Sequence, residues 1–207
     1  MSYTIRPHSA NFKMGISDIV QFEQWLADHP NIIGVSFVGR SNVGKSSMIN
    51  SLFGGKTARV SKTPGRTREI NIFEFELNLN GLKSQLPICY LIDLPGYGFA
   101  HGGKEKMDKI REMIIWYLTE SGTKPTLIVL IVDIKAGLTQ FDKDMLNILR
   151  EQNMNYIIVA NKADKLNQKE SSKQIAEIKY NANEDDIIPY SATDKVRPKL
   201  ILDRILL

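Results

Sequence analysis

The chain has 207 residues, 43% hydrophobic and 24% charged, with a net charge of +4, proportions of a soluble globular protein long enough to bury its own core. No apolar run approaches the roughly 20 residues that span a bilayer, and no continuous apolar stretch follows Arg6, His8 and Lys13 near the start, so neither a membrane span nor a secretory signal is expected. The expected location is the cytoplasm, and a pI near 9.0 suits a phosphate-rich partner without requiring one.

In chain order, Ile19, Phe22, Trp25 and Leu26 fall at helical spacing, predicting a helix over 17–29 that Pro30 stops. A strand over 32–38 runs into a glycine-rich loop, and an amphipathic stretch follows over 47–53. A turn-rich segment over 61–67 leads to a strand over 69–77 and a turn over 78–81. The returning strand, 86–92, follows so closely that the pair is expected to be antiparallel. Beyond Asp93 the pattern alternates. A helix over 105–119 precedes the strand Leu127–Asp133, and a helix over 140–152 precedes the strand 156–160. A helix over 168–180 then leads to the strand 187–190 and a last helix over 198–206. Strand alternating with helix predicts an α/β fold, a mostly parallel six-stranded sheet with one antiparallel strand and helices on both faces. The expected organisation is a single domain, with the helix 17–29, a nucleotide-binding core over 31–193 and a terminal helix within 196–207. The lone Cys89 reads as a small core residue, and His8, His29 and His101, which lack metal-ligand spacing, read as surface residues.

The most informative string is Gly39-Arg40-Ser41-Asn42-Val43-Gly44-Lys45-Ser46-Ser47, which fits G-x-x-x-x-G-K-[ST] between a β-branched run and an amphipathic helix. Glycines let the backbone approach a polyphosphate closely, while loop N–H groups and the helix's positive end face the anion. Lys45 is expected to bridge the β- and γ-phosphates and the Ser46 hydroxyl to ligate Mg2+. Such a loop leaves ATP, GTP and small-metabolite phosphotransfer open.

Asn161-Lys162-Ala163-Asp164 narrows that choice. A carboxylate at Asp164 can accept from guanine N1–H and the exocyclic amine, donors that adenine lacks there, and the mismatch would be costly in a closed site. Asn161 would brace this loop against the phosphate cradle, Lys162 would cover one face of the ring, and in Ser191-Ala192-Thr193 the Ala192 N–H could reach guanine O6. Between these strings lies Asp93-Leu94-Pro95-Gly96-Tyr97-Gly98-Phe99-Ala100. Asp93 would hold the magnesium through a water, and the Gly96 N–H would touch the γ-phosphate, making the segment after Gly96 a natural switch. Gly65-Arg66-Thr67-Arg68, with Glu69 beside it, is the candidate first switch. Thr67 is the expected second protein ligand to magnesium, with Thr63 its rival. Each piece alone has a plain alternative: a glycine-rich turn, an Asn/Asp-capped loop, or a solvated basic turn.

With Gly39 to Ser47, Thr63 to Thr67, Asp93 to Ala100 and Asn161 to Asp164 in order, the chain resembles translation-factor-class GTPases of the EngB/YihA/YsxC type from about Asn11 to Thr193. That resemblance implies a G domain hydrolysing GTP to GDP, and a role in assembling the large ribosomal subunit through rRNA and ribosomal proteins. A monomer that binds no membrane is expected. Small GTPases commonly place a water-orienting glutamine where this chain has Tyr97. A tyrosine cannot replace both the donor and the acceptor of an amide, so slow unaided hydrolysis is expected. Asn42 occupies the position that helps hold a monovalent cation in potassium-stimulated relatives, so K+ is a candidate cofactor; alternatively a partner supplies the missing group. Arg40, Arg66 and Arg68 are candidate internal cations. Basic residues near the switches, among them Lys62, Lys109 and Arg111, and on the tail, among them Lys199 and Arg204, could meet rRNA phosphates. Two other functions remain open: a signalling or transport G domain with a protein partner, and a nucleotide-binding module with negligible hydrolysis.

Overall fold

The computed structural model describes residues 3–6, 8–29, 34–54, 57–58, 69–79, 88–97, 104–192 and 197–205. Strands β1 (Tyr3–Ile5) and β2 (Asn11–Ile16) precede helix α1 (Ile19–Asp28), which starts where the Asp18 carboxylate accepts from the Gln21 N–H at 2.9 Å. Then follow β3 (Gly34–Gly39), α2 (Lys45–Phe53), β4 (Ile70–Phe75), β5 (Leu77–Leu79), β6 (Cys89–Asp93), α3 (Lys104–Thr119) and β7 (Leu127–Asp133). The remainder is α4 (Gln140–Glu151), β8 (Tyr156–Asn161), a 3-10 turn (Ala163–Lys165), α5 (Gln168–Ala182), β9 (Ile187–Pro189) and α6 (Arg197–Ile205).

The main sheet has the order β2-β4-β6-β3-β7-β8-β9. β3, β6, β7, β8 and β9 pair in parallel, whereas β4 is antiparallel to both β2 and β6, so β4 alone runs against the rest. The expected architecture holds, with seven strands in place of six. The added edge strand, β2, buries only Ile16 fully and carries Lys13 in an ion pair with Glu74 at 2.6 Å. Its sequence does carry a period-2 pattern, Phe12, Met14 and Ile16 alternating with Asn11, Lys13 and Gly15, but at the sheet edge Phe12 stays 57% exposed and the apolar face is only partly covered. A second departure concerns the turn expected over 78–81: Asn78 and Leu79 continue in β5, which pairs antiparallel with β1.

Period-2 alternation on the central strands divides the core in two. Ile128, Leu130 and Val132 of β7 face a layer with Phe22, Trp25, Ile114, Leu146 and Ile178, from α1, α3, α4 and α5. Leu127, Val129 and Ile131 face the other side, where Met48, Ile49 and Phe53 of α2 meet Ile201 and Ile205 of α6. Phe22 is fully buried among Trp25, Trp116 and Tyr117, the last ring at 4.9 Å. Phe22→Ala is therefore expected to lower stability by about 3–5 kcal/mol, read as a fall in the urea midpoint with an unchanged slope.

Cys89 is 2% exposed, and burial pushes its thiol up to about 11, as a core cysteine requires. His29 departs from the surface expectation. Its ring stacks on Trp25 at 4.6 Å and meets Tyr90 edge-on at 5.3 Å. Among the described residues no helix is long and apolar enough to cross a membrane.

Candidate guanine-nucleotide site

The loop between β3 and α2 is set by its glycines. A Cβ on Gly39 would stand 2.5 Å from the Ile131 carbonyl oxygen, so only glycine lets the end of β3 lie this close to β7. Gly44 has φ +98°, and a Cβ there would meet the Asn161 side-chain nitrogen at 2.4 Å. Asn42 also adopts a left-handed conformation, φ +66°. α2 begins without a side-chain cap and without an acidic residue in its first turn. Its first-turn N–H groups over Lys45, Ser46 and Ser47, together with the helix dipole, thus provide an anion-binding end.

Lys45 Nζ donates to the Gly39 carbonyl at 3.3 Å. Burial lowers its pKa, and the neighbouring Asp93 carboxylate opposes that shift. Asp93 ends β6 at 3% exposure, and burial pushes its carboxyl up to about 6 while Lys45 pulls it down. Its Oδ1 is buried without a hydrogen-bond partner among the described residues. A buried, unsatisfied carboxylate oxygen beside the Ser46 hydroxyl's loop is a donor set suited to a hard divalent cation. Among the described residues there is no cluster of three His, Cys, Asp or Glu that would hold a metal by itself.

Because the folded pKa of Asp93 lies above its unfolded value, the folded state binds the proton more tightly. Asp93 therefore costs the nucleotide-free protein stability as pH rises through about 4 to about 6, and the cost is full above that window. Asp93→Asn is expected to raise the nucleotide-free melting temperature at pH 7.5 by a few degrees, roughly what removal of a 2–3 kcal/mol penalty gives at this size. The gain should vanish near pH 4, as differential scanning fluorimetry across pH would read.

Gly96 lies hard against the phosphate loop: a Cβ there would stand 2.8 Å from both Cα and N of Ser41. Ser41 Oγ donates to the Gly96 carbonyl at 3.1 Å, and Ser41 N–H to the Tyr97 carbonyl at 2.9 Å. Leu94 is fully buried and sends its side chain into the core, so only its backbone can face a ligand. Glu69 is exposed, its carboxylate lying over Gly15 of β2.

On the opposite side, Asn161 Nδ2 donates to the Val43 carbonyl at 2.7 Å, a contact between residues 118 apart. Lys162, at φ +65°, reaches the Asn42 carbonyl at 2.6 Å and Asp133 Oδ2 at 2.8 Å. Ala163 N–H donates to the Tyr190 carbonyl, joining this loop to the end of β9. Asp164 is exposed, and Ser191 Oγ donates to its Oδ1 at 2.8 Å. That hydrogen bond, helped by Lys165 and opposed by partial desolvation, holds the Asp164 carboxyl below the usual range. Ala192 stands exposed beside it. Thus Gly39 to Ser47, Asp93 to Gly96, Asn161 to Asp164 and Ser191–Ala192 converge at the C-terminal edge of the parallel strands, where α/β sheets bind ligands. Gly65, Arg66, Thr67, Arg68 and Thr193, like Lys62, Thr63 and His101, lie outside the described residues.

Sequence reasoning missed Asp133, Thr139 and Asp142. The Thr139-x-x-Asp142 spacing is a readable capping-box signal, but what Asp142 meets across the fold is not local. Arg40, a candidate internal cation, has its Nε 3.2 Å from Asp142 Oδ2. Of the basic residues expected to meet RNA, Arg204 is engaged by Asp186 at 2.6 Å and Arg111 lies over the Phe141 ring, while Lys109 and Lys199 are exposed.

A phosphate loop at the head of a mostly parallel sheet, locked to an Asn-Lys-x-Asp loop, defines a P-loop GTPase domain. Residues 34–162 match the family described as 50S ribosome-binding GTPase. A probable GTP-binding protein EngB from Aquifex aeolicus is 37% identical over 179 residues, covering 86% of this chain and 91% of the relative. The crystal structure of a probable GTP-binding protein engB superposes with TM-score 0.66 at 30% identity, over 83% of this chain and 96% of the other. Era, in complex with MgGDPNP and a fragment of 16S ribosomal RNA, superposes with TM-score 0.66 at 25% identity, over 84% of this chain and 56% of Era. The chain belongs to the EngB family of GTP-binding proteins.

Proposed function

We propose that this GTPase is a nucleotide-dependent switch in assembly of the large ribosomal subunit, working as a cytoplasmic monomer. One observation carries the nucleotide reading: the Asn161–Val43 bond ties the base-side loop to the phosphate loop, so one ligand with a base at one end and a polyphosphate at the other spans both. The Asp164 carboxylate, held by Ser191, accepts from guanine N1–H and N2, and the exposed Ala192 N–H reaches O6. The loop N–H groups over Gly39 to Ser47 receive the phosphates, and Lys45 bridges β and γ. Ser46, Thr67 and Asp93 would hold Mg2+, which when bound would supply positive charge to offset that of the phosphates. The Gly96 N–H contacts the γ-phosphate. The family's description as ribosome-binding, the net charge of +4 and exposed Lys109 and Lys199 support an rRNA-rich partner.

Hydrolysis is slow in the isolated protein, because Tyr97 does not orient the attacking water. Asn42 is the proposed ligand for a monovalent cation against the phosphates, and the assembling particle is the second source of acceleration. Steady-state phosphate release, measured in potassium and in sodium with and without large-subunit precursor particles, tests this reading. Turnover should be higher in potassium and rise again with particles. Equal turnover in the two salts removes Asn42 from the mechanism, and indifference to particles removes the ribosomal partner.

A further inference from the structure

Tyr97 follows Gly96 directly, yet it is 3% exposed and its hydroxyl donates to Asp142 Oδ1 at 3.0 Å. Asp142 is fully buried. Its Oδ2 accepts from the Thr139 N–H at 3.0 Å and Thr139 Oγ1 at 2.7 Å, and lies 3.2 Å from Arg40 Nε. One carboxylate therefore joins three segments: the phosphate loop, the strand-end segment after β6, and the start of α4. A buried carboxylate persists only when paired and hydrogen-bonded. Capping α4 uses Oδ2 alone, so neither Tyr97 nor Arg40 is needed for the cap. Burial and the adjoining carboxylate hold the Tyr97 hydroxyl well above the usual tyrosine range, so it remains a donor. The Tyr97 backbone is fixed as well, by its carbonyl on Ser41 N–H and a ladder contact to Arg40.

We propose that Asp142 is a positioning residue for the nucleotide switch: through Tyr97 and Arg40 it holds Gly96 against Ser41, presetting the Gly96 N–H for a γ-phosphate. The proposal rests on the guanine-nucleotide reading above. Withdrawal of Gly96 when the γ-phosphate leaves has to strain or break the Tyr97–Asp142 bond, so the cluster helps set the gap between the two nucleotide states. GDP lacks the γ-phosphate and is blind to this positioning. A cluster that merely stabilised the fold would affect both nucleotides alike.

The test compares the full chain with Tyr97→Phe, Asp142→Asn and the double variant, titrating GDP and a non-hydrolysable GTP analogue in magnesium. Tyr97→Phe keeps the ring and loses only the hydroxyl. It should weaken the analogue roughly tenfold, the scale of one charge-assisted hydrogen bond, and leave GDP within about twofold. Asp142→Asn should act in the same direction, and the double variant should add little to the larger single effect. In the nucleotide-free protein, hydrogen exchange at the Ser41 amide should be slow and should quicken in Tyr97→Phe. An analogue-to-GDP ratio unmoved by Tyr97→Phe, or equal losses for both nucleotides, overturns the proposal, and so does unchanged Ser41 exchange. If the unsubstituted chain binds neither guanine nucleotide, the functional reading itself falls. If Asp142→Asn does not fold, Tyr97→Phe still decides the matter.

Discussion

Asp164→Ala is expected to weaken GDP binding by roughly 10²–10⁴-fold, the loss of two hydrogen bonds to a charged acceptor, while the melting temperature hardly changes. The magnitude follows from how the carboxylate is held. Ser191 Oγ fixes one oxygen at 2.8 Å and favours the ionised form, so the carboxylate would meet guanine already oriented. On that assignment, truncation would remove the acceptor and leave two donors on the base without their protein partner. The side chain is exposed, so the fold loses little. Selectivity should collapse with affinity, because adenine never used this carboxylate. Asp164→Asn sharpens the point: an amide can donate to the carbonyl that xanthine carries in place of the N2 amine, so xanthosine diphosphate should outcompete GDP. Ser191→Ala should show a smaller loss in the same direction. Competition titrations with GDP, ADP and xanthosine diphosphate measure all three.

Lys45→Ala is expected to reduce GTP turnover by at least roughly 10²–10³-fold, the usual cost of deleting one preorganised group facing developing charge. Two effects combine at this position. The ammonium that would lie between the β- and γ-phosphates is lost, and so is the cation that restrains the Asp93 pKa. Burial already places Asp93 at about 6 with Lys45 present. Loss of the lysine removes the one charge that pulls the Asp93 carboxyl down, so its pKa should rise further and the carboxylate become less suited to a magnesium site. Lys45→Arg should not restore turnover, because a planar guanidinium does not fit a slot shaped around a single Nζ on the Gly39 carbonyl. Single-turnover hydrolysis with saturating nucleotide separates lost chemistry from lost binding.

The sheet was legible wherever burial writes a pattern. β7 has its expected bounds because Leu127–Asp133 is an apolar run covered on both faces, while α1, α4 and α5 lie within two residues of their expected ends. β2 is missing from the expected sheet although Phe12, Met14 and Ile16 alternate with Asn11, Lys13 and Gly15: the run is six residues long, interrupted by a glycine, and lies at an edge where only Ile16 is fully buried. The site was readable as far as its chemistry is local. A phosphate loop and an Asn-Lys-x-Asp loop are strings with a mechanism, and the Asn161–Val43 bond joins them as expected. Asp142 escaped because its identity suits a helix cap, while its contacts with Tyr97 and Arg40 are made across sequence separations that no local pattern encodes. In sequence, Tyr97 stands out for the amide it lacks. The hydroxyl it brings instead, turned inward onto Asp142, is a property of tertiary packing.

The proposed ribosomal role is tested most directly by sedimenting the purified protein with large-subunit precursor particles, loaded in parallel with a non-hydrolysable GTP analogue and with GDP, at moderate salt. The protein should pellet with the particles in the analogue and remain in the supernatant with GDP, and the association should weaken steeply as salt rises. Equal recovery in the two nucleotide states, whether all bound or none, would contradict a switch that reports its nucleotide to the assembling subunit.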